Sequence, residues 1–147
     1  MIVPKKRLVP QLEMQPDQLF RTGELIAAGK SLTETSQEIG RDILSFRIPA
    51  MTEYMRRRNI LEPEAGRTYT LGLELDVGRA IRFEYIRTIV NIRGTRIHIF
   101  RSVAGGYRVS FTEFQFVEAW LEGKRLARKE EADTEVRSTQ RGKSAVA

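Results

Sequence analysis

Cysteine is absent from this 147-residue chain, which excludes thiol nucleophiles, thiolate zinc sites, iron–sulfur clusters and structural disulfides. Histidine occurs once, as His98, so no multi-histidine metal site can be assembled. No apolar run approaches the ~20 residues needed to cross a bilayer, and the basic N-terminus lacks the apolar stretch of a signal peptide. What is present is charge of both signs with a basic excess. The 25 Lys+Arg against 19 Asp+Glu leave +6 at neutral pH. Hydrophobic residues make up 41% of the chain, enough for one ordinary core. These features point away from most enzymes, from cofactors and from membranes. They point toward a cytoplasmic, nucleoid-associated binding protein with an anionic partner.

Residues 1–15 carry two prolines and the Lys5-Lys6-Arg7 cluster without a sustained period, and read as an extended basic arm. From Pro16 the pattern is helical. Leu19, Thr22, Gly23 and Ile26 recur on one face, and Gly29 supplies a stop. Ser31 and Glu34 have capping-box spacing, with Leu32 and Ile39 on a common face and Gly40 closing the helix. Asp42 opens a further turn through Phe46, and Pro49 begins a helix with Met51, Tyr54, Met55 and Arg58 at helical spacing. Residues 16–61 thus read as a small helical subdomain.

After Gly66 the period changes to two. Tyr69, Leu71, Leu73, Leu75 and Val77 alternate with Thr70, Gly72, Glu74 and Asp76. In the next run Ile81, Phe83 and Tyr85 share one parity while Ile86, Thr88, Val90 and Ile92 take the other, which predicts a β-bulge near Tyr85-Ile86. Arg93-Gly94 and Gly105-Gly106 mark two more turns. Thr112 and Gln115 then cap a helix with Phe114, Val117 and Leu121 in a stripe and Phe116 and Trp120 beside it. That helix is expected to fray after Leu126. Residues 128–147 lack aromatics and read as a disordered tail. The fold class is α+β: the helical subdomain, a four-stranded antiparallel meander with a C-terminal helix over 67–127, and flexible ends. The expected core of the second part is Leu71, Leu73, Leu75, Ile81, Phe83, Val90, Ile92, Ile97, Ile99, Val109, Phe111, Val117, Trp120 and Leu121.

Catalytic constellations are thin. Ser102 and Ser110 have only His98 as a base, and His98 reads as a polar-face residue of a strand between Ile97 and Ile99. Glu74 and Asp76 share one strand face, where paired carboxylates hold Mg²⁺ or, more commonly, are simply solvated. No phosphate-loop motif occurs.

The cationic pattern is better organised. The sheet region contains Arg79, Arg82, Arg87, Arg93, Arg96, Arg101 and Arg108 but no lysine. Guanidinium offers a planar fork for phosphates and stacks on bases. Alternation places Arg82, Arg96, His98, Phe100 and Arg108 on strand faces opposite the expected core, and adds Arg101 and Arg93 nearby. Guanidiniums beside flat rings make a single-strand binding platform; the bland alternative is a solvated arginine-rich face. Arg56-Arg57-Arg58 close the last short helix and form a second cationic site.

The stretch LIAAGKSLTETSQEIG followed by IPAMTEYMRRRNIL (residues 25–40 and 48–61) resembles helix-turn-helix DNA-binding proteins. The resemblance implies Pro49–Arg58 as a recognition helix, with Thr52, Glu53 and Arg56 facing bases and Arg57 reaching phosphate. Seven residues, Arg41–Arg47, separate the halves where that motif uses about three or four. Alternatively a helix starts at Asp42 and kinks at Pro49, or the segment is a helical bundle capping the sheet. The run FEYIRTIVNIRGTRIHIF, then GYRVSFTEFQFVEAWL, is similar to the single-stranded-DNA-binding domain of positive-cofactor-four transcriptional coactivators. It covers about Thr68–Leu126, and the family's lysine-rich sheet is arginine-rich here. That resemblance implies melted DNA on the sheet and a homodimer formed through the helix.

The function expected is therefore non-enzymatic nucleic-acid binding, most simply as a DNA-binding transcription or replication accessory factor acting as a homodimer. The partner is single-stranded or duplex DNA, or RNA. The alternative is a structural or adaptor subunit of a larger assembly, such as a virus particle, that uses the same arginines for protein contacts.

Overall fold

The computed structural model describes residues 13–73 and 79–146, with 137–146 by backbone alone. The α+β chain folds as two compact units that part between Glu62 and Pro63.

The helical unit contains α1 (Pro16–Ala27), α2 (Leu32–Ile39), a 3-10 turn (Leu44–Phe46) and α3 (Arg47–Arg57). Local chemistry sets most boundaries. Pro16 opens α1 where its missing N–H costs nothing. The Ser31 hydroxyl accepts from the Glu34 N–H at 3.1 Å while the Glu34 carboxylate accepts from the Ser31 N–H at 3.4 Å, a closed capping box. Gly40, at φ 84°, ends α2 in the left-handed region. The Asp42 carboxylate accepts from the Leu44 N–H at 3.1 Å and starts the 3-10 turn. Helix α3 begins two residues before Pro49, contrary to both sequence readings. Pro49 sits in the first turn, where helical N–H groups have no intrahelical partner.

Leu25, Ile26, Ile43, Ala50, Met51 and Met55 form this unit's core. At Gly23, α1 crosses α3 so closely that a Cβ would stand 2.5 Å from the Ala50 carbonyl oxygen. The end of the expected arm is folded: Met14 is buried, and the Glu13 carbonyl accepts from the Arg41 guanidinium at 3.2 Å. Lys5, Lys6 and Arg7 lie outside the described residues.

The sheet unit is an antiparallel meander of β1 (Thr68–Gly72), β2 (Ala80–Val90), β3 (Arg96–Ser102) and β4 (Arg108–Thr112), in that spatial order, followed by α4 (Glu113–Val146). The register slips between Tyr85 and Arg87, which is the expected bulge. At the β2–β3 turn the Asn91 side-chain oxygen accepts from the N–H groups of Arg93 and Thr95, both at 3.0 Å, and Gly94 takes φ 80°. The Thr112/Gln115 capping box forms as the spacing predicts, at 3.3 and 3.0 Å.

Helix α4 covers one sheet face. Phe100 is the hub beneath it, with ring centroids 5.8 Å from Tyr69, 5.5 Å from Tyr85, 5.7 Å from Phe111 and 5.4 Å from Phe116. Leu71, Phe83, Val117, Trp120 and Leu121 are buried with it. This reverses the expected parity of β3. His98, Phe100 and Ser102 point to the core, while Ile97 and Ile99 are only half-buried. Ile81, Leu73 and Val109 are half-buried as well, and Val90 and Ile92 are exposed rather than core. Leu75, Glu74 and Asp76 lie outside the described residues.

The second correction concerns the tail. Helix α4 runs through Val146 instead of fraying after Leu126, although residues 129–136 are all exposed. Among the described residues, no helix is long and apolar enough to cross a membrane, and no three His, Asp or Glu side chains gather as a metal site.

Candidate nucleic-acid interface

The face of the sheet turned away from α4 follows from the register. Phe83, Phe100 and Val109 lie under the helix, so their strand neighbours lie on the other side. One cross-strand row on that face reads Thr68, Glu84, Arg101, Arg108. Thr70 and Arg82 form the adjacent row, and past the bulge Arg87 stands opposite Ile99, and Ile89 opposite Ile97. The open face therefore has an arginine half (Arg82, Arg101, Arg108), an aliphatic half (Ile89, Ile97, Ile99), and Arg87 beside the latter.

Two arginines paired directly across strands repel one another, a destabilising arrangement unless an anion intervenes. Arg101 and Arg108 are such a pair. Glu84 offsets part of this by accepting from the Arg101 guanidinium at 3.1 Å, and the Thr68 hydroxyl accepts from Arg82 at 3.3 Å. Four guanidiniums around one carboxylate leave the described part of this face with three surplus positive charges (Arg82, Arg87, Arg101 and Arg108 against Glu84). The Arg101 side chain remains 48% exposed, so the forks stay accessible to a ligand.

No family model, curated protein or solved structure matches this chain. The site must therefore be read from its own geometry.

The ring platform expected from the sequence is not on this face. His98 and Phe100 are fully buried on the helix side. The His98 Nδ1 is 2.6 Å from the Thr88 hydroxyl, which is 2.6 Å from the Tyr85 hydroxyl, so the imidazole belongs to a buried polar chain among aromatic rings. Neither ring can stack on a base. Arg93 and Arg96 are exposed but sit at the β2–β3 turn, apart from the arginine row. Arg87 is the member of this face that was not among the expected binding residues. Its signal was the bulge, which turns Arg87 onto the same face as Arg82.

The cationic cluster on α3 is engaged within its own unit. Glu53 receives the guanidiniums of both Arg56 and Arg57. Arg57 also reaches Asp17 of α1 at 2.9 Å and lies over the Phe20 ring at 5.0 Å. Arg58 contacts Glu24 at 3.5 Å and the rings of Phe20 and Tyr54. The Thr52 hydroxyl donates back to the Ile48 carbonyl at 2.8 Å. Four of the five side chains expected to contact nucleic acid thus tie down helices or each other, and Thr52 bonds its own backbone.

The Arg56 hydrogen bond, followed by that of Arg57, holds the Glu53 carboxyl below its ordinary value, outweighing the opposing effect of burial. A depressed carboxylate stabilises the fold fully above the unfolded value and loses that contribution as pH falls through the folded one. Glu53→Gln is therefore expected to lower the helical unit's melting midpoint at pH 7 by about 3 °C, as suits a largely exposed network. Melts followed by far-ultraviolet circular dichroism at pH 7 and at acid pH check this: the gap should narrow as pH falls, because the wild-type carboxylate is progressively protonated while the glutamine has no charge to lose. An equal gap at both values would remove the ion pairs from the account.

Proposed function

We propose that this protein is a non-enzymatic nucleic-acid-binding protein, a DNA-binding accessory factor of transcription or replication, that grips phosphates with the open face of its sheet. The observation that carries the reading is the directly opposed Arg101–Arg108 pair, with Arg82 and Arg87 around it and Glu84 as the only carboxylate among the described residues of that face. Phosphate oxygens fit the bidentate guanidinium fork and remove the repulsion between the two. Without aromatic rings on the face, affinity rests on the backbone, and selectivity on arginine stacking and the neighbouring isoleucines.

Fluorescence anisotropy with single-stranded and duplex DNA at low and near-physiological salt tests it. Replacing Arg82, Arg101 and Arg108 together by alanine is expected to weaken binding at least tenfold. The slope of log K against log salt should become shallower by about 2–3, at roughly 0.7–0.9 for each phosphate no longer neutralised. Replacing Arg56, Arg57 and Arg58 should leave affinity within about twofold, because those side chains are engaged internally. Salt-insensitive binding, or a sheet variant that binds like the wild type, would overturn the proposal. The Ile89, Ile97 and Ile99 half of the face supports the second reading, an adaptor subunit docking a protein there, which failure to bind either DNA would favour.

A further inference from the structure

Among the described residues, the β2–β3 hairpin leaves several large apolar side chains exposed. Ile89 is 41% exposed, Val90 64%, and Ile92 stands fully in solvent. Among the described residues the pairing on the β1 side of β2 reaches no further than Tyr85, so the Arg87–Val90 stretch is itself a sheet edge. Exposed apolar edges are the sites where a sheet accepts another chain. The hairpin is also purely basic. Residues 87–96 contain Arg87, Arg93 and Arg96 and no acid.

The complementary surface is on the same chain. Helix α4 outruns its own sheet: among its described side chains the last fully buried one is Leu126, and 129–136 are all exposed. A helical stretch in water gains most of its stability from packing an apolar face, which this one does not do within its unit. Residues 129–136 hold four acids and one lysine, a net charge of −3. At about 100° per residue, Ala132 and Val136 form a narrow apolar stripe, flanked by Glu131 and Glu135 on one side and by Lys129 and then Asp133 on the other. Val136 is 55% exposed.

The two segments cannot meet within one unit. Glu130 reaches the N–H of Ala80, at the start of β2, at 3.0 Å. The hairpin turn lies beyond Val90 at the other end of that strand, on the order of 30 Å away. A two-fold axis resolves this, because antiparallel placement of two copies sets each hairpin against the other's distal helix, twice. We propose that the protein forms an isologous homodimer in which the β2–β3 hairpin of one copy docks on residues 129–136 of α4 of the other. Val90 and Ile92 cover the Ala132–Val136 stripe, and Arg93 and Arg96 face Glu131, Asp133 and Glu135. The buried stretch of α4 plays no part, since Phe116, Val117, Trp120 and Leu121 are consumed by their own sheet.

The test is sedimentation velocity of the full chain at tens of micromolar with two charge-reversed variants. One carries Arg93→Glu and Arg96→Glu, the other Glu131→Arg, Asp133→Arg and Glu135→Arg. All five positions are exposed, so circular dichroism should show each variant folded. The wild type is expected to sediment as a dimer and each variant alone as a monomer. An equimolar mixture of the variants should recover the dimer, because both contacts in the mixed pair then join opposite charges. A monomeric wild type, variants that remain dimeric alone, or a mixture that stays monomeric overturns the proposal.

Discussion

Phe100→Ala is expected to cost the sheet unit about 3–5 kcal/mol, the range for deleting a large buried aromatic ring. Phe100 has no exposed surface and meets four rings, from β1, β2, β4 and α4. Its removal leaves a cavity that rigid aromatic neighbours fill poorly, and it forfeits the edge-to-face contacts as well. Domains of this size hold only about 5–15 kcal/mol in total. At about 4–8 °C per kcal/mol, the melting midpoint should fall by on the order of 20 °C. Trp120, the single tryptophan, lies buried on α4 and reports this unit's unfolding by fluorescence. If Phe100 were instead a base-stacking residue on an open face, its loss would weaken single-strand binding and leave the melt unchanged. That result would reverse the assignment of the two sheet faces.

The second large effect is expected at Gly123, where α4 lies against β1. A Cβ there would stand 2.3 Å from the Thr70 carbonyl oxygen and 2.7 Å from the Leu71 Cα. Those are backbone atoms of a paired strand, and they cannot turn aside as a side-chain end can. In an unobstructed helix, Gly→Ala gains about 1 kcal/mol of propensity. Gly123→Ala should nevertheless destabilise by about 2–3 kcal/mol, because helix and strand must separate and the packing around Leu71 and Val117 loosens with them. Urea unfolding monitored at Trp120 measures it. A variant as stable as the wild type would mean that the helix does not approach the strand this closely. Gly123→Leu, which adds more volume, should prevent the native near-ultraviolet signal from forming.

Much of the local structure was legible because it is governed by neighbours in sequence. The Ser31/Glu34 and Thr112/Gln115 caps, the Gly40 stop and the Asp42 turn each need only residues within a few positions. The Tyr85–Arg87 bulge showed as a break in alternation. Strand β3 was not legible in the same way. Its sequence RIHIFRS offers an isoleucine face and a His/Phe/Ser face, and hydrophobicity alone prefers the former. Which one is buried depends on the ladder that pairs Phe100 with Tyr85 and Val109.

The candidate site divides along the same line. Composition made the sheet arginine-rich and lysine-free, and strand parity already separated Arg82 and Arg108 from the core. The rings meant to complete the platform went to the interior when β3 took the opposite parity. The Arg56–Arg58 cluster was visible as charge, but its partners Asp17 and Glu24 lie 40 and 34 residues away. Spacing in sequence cannot show that a cation is already occupied.

The sequence by itself determined the α+β class, the order of helices and strands, the positions of the β2–β3 and β3–β4 turns and the basic character of the sheet. Each of these follows from short-range periodicity, capping chemistry or composition. Only the tertiary structure decided which face α4 covers, that Phe100 and His98 are core, that Arg57 and Arg58 bind α1, and which four arginines share an open surface. Burial and charge pairing are set by residues far apart in the chain, and a one-residue change of register exchanges the faces of a strand.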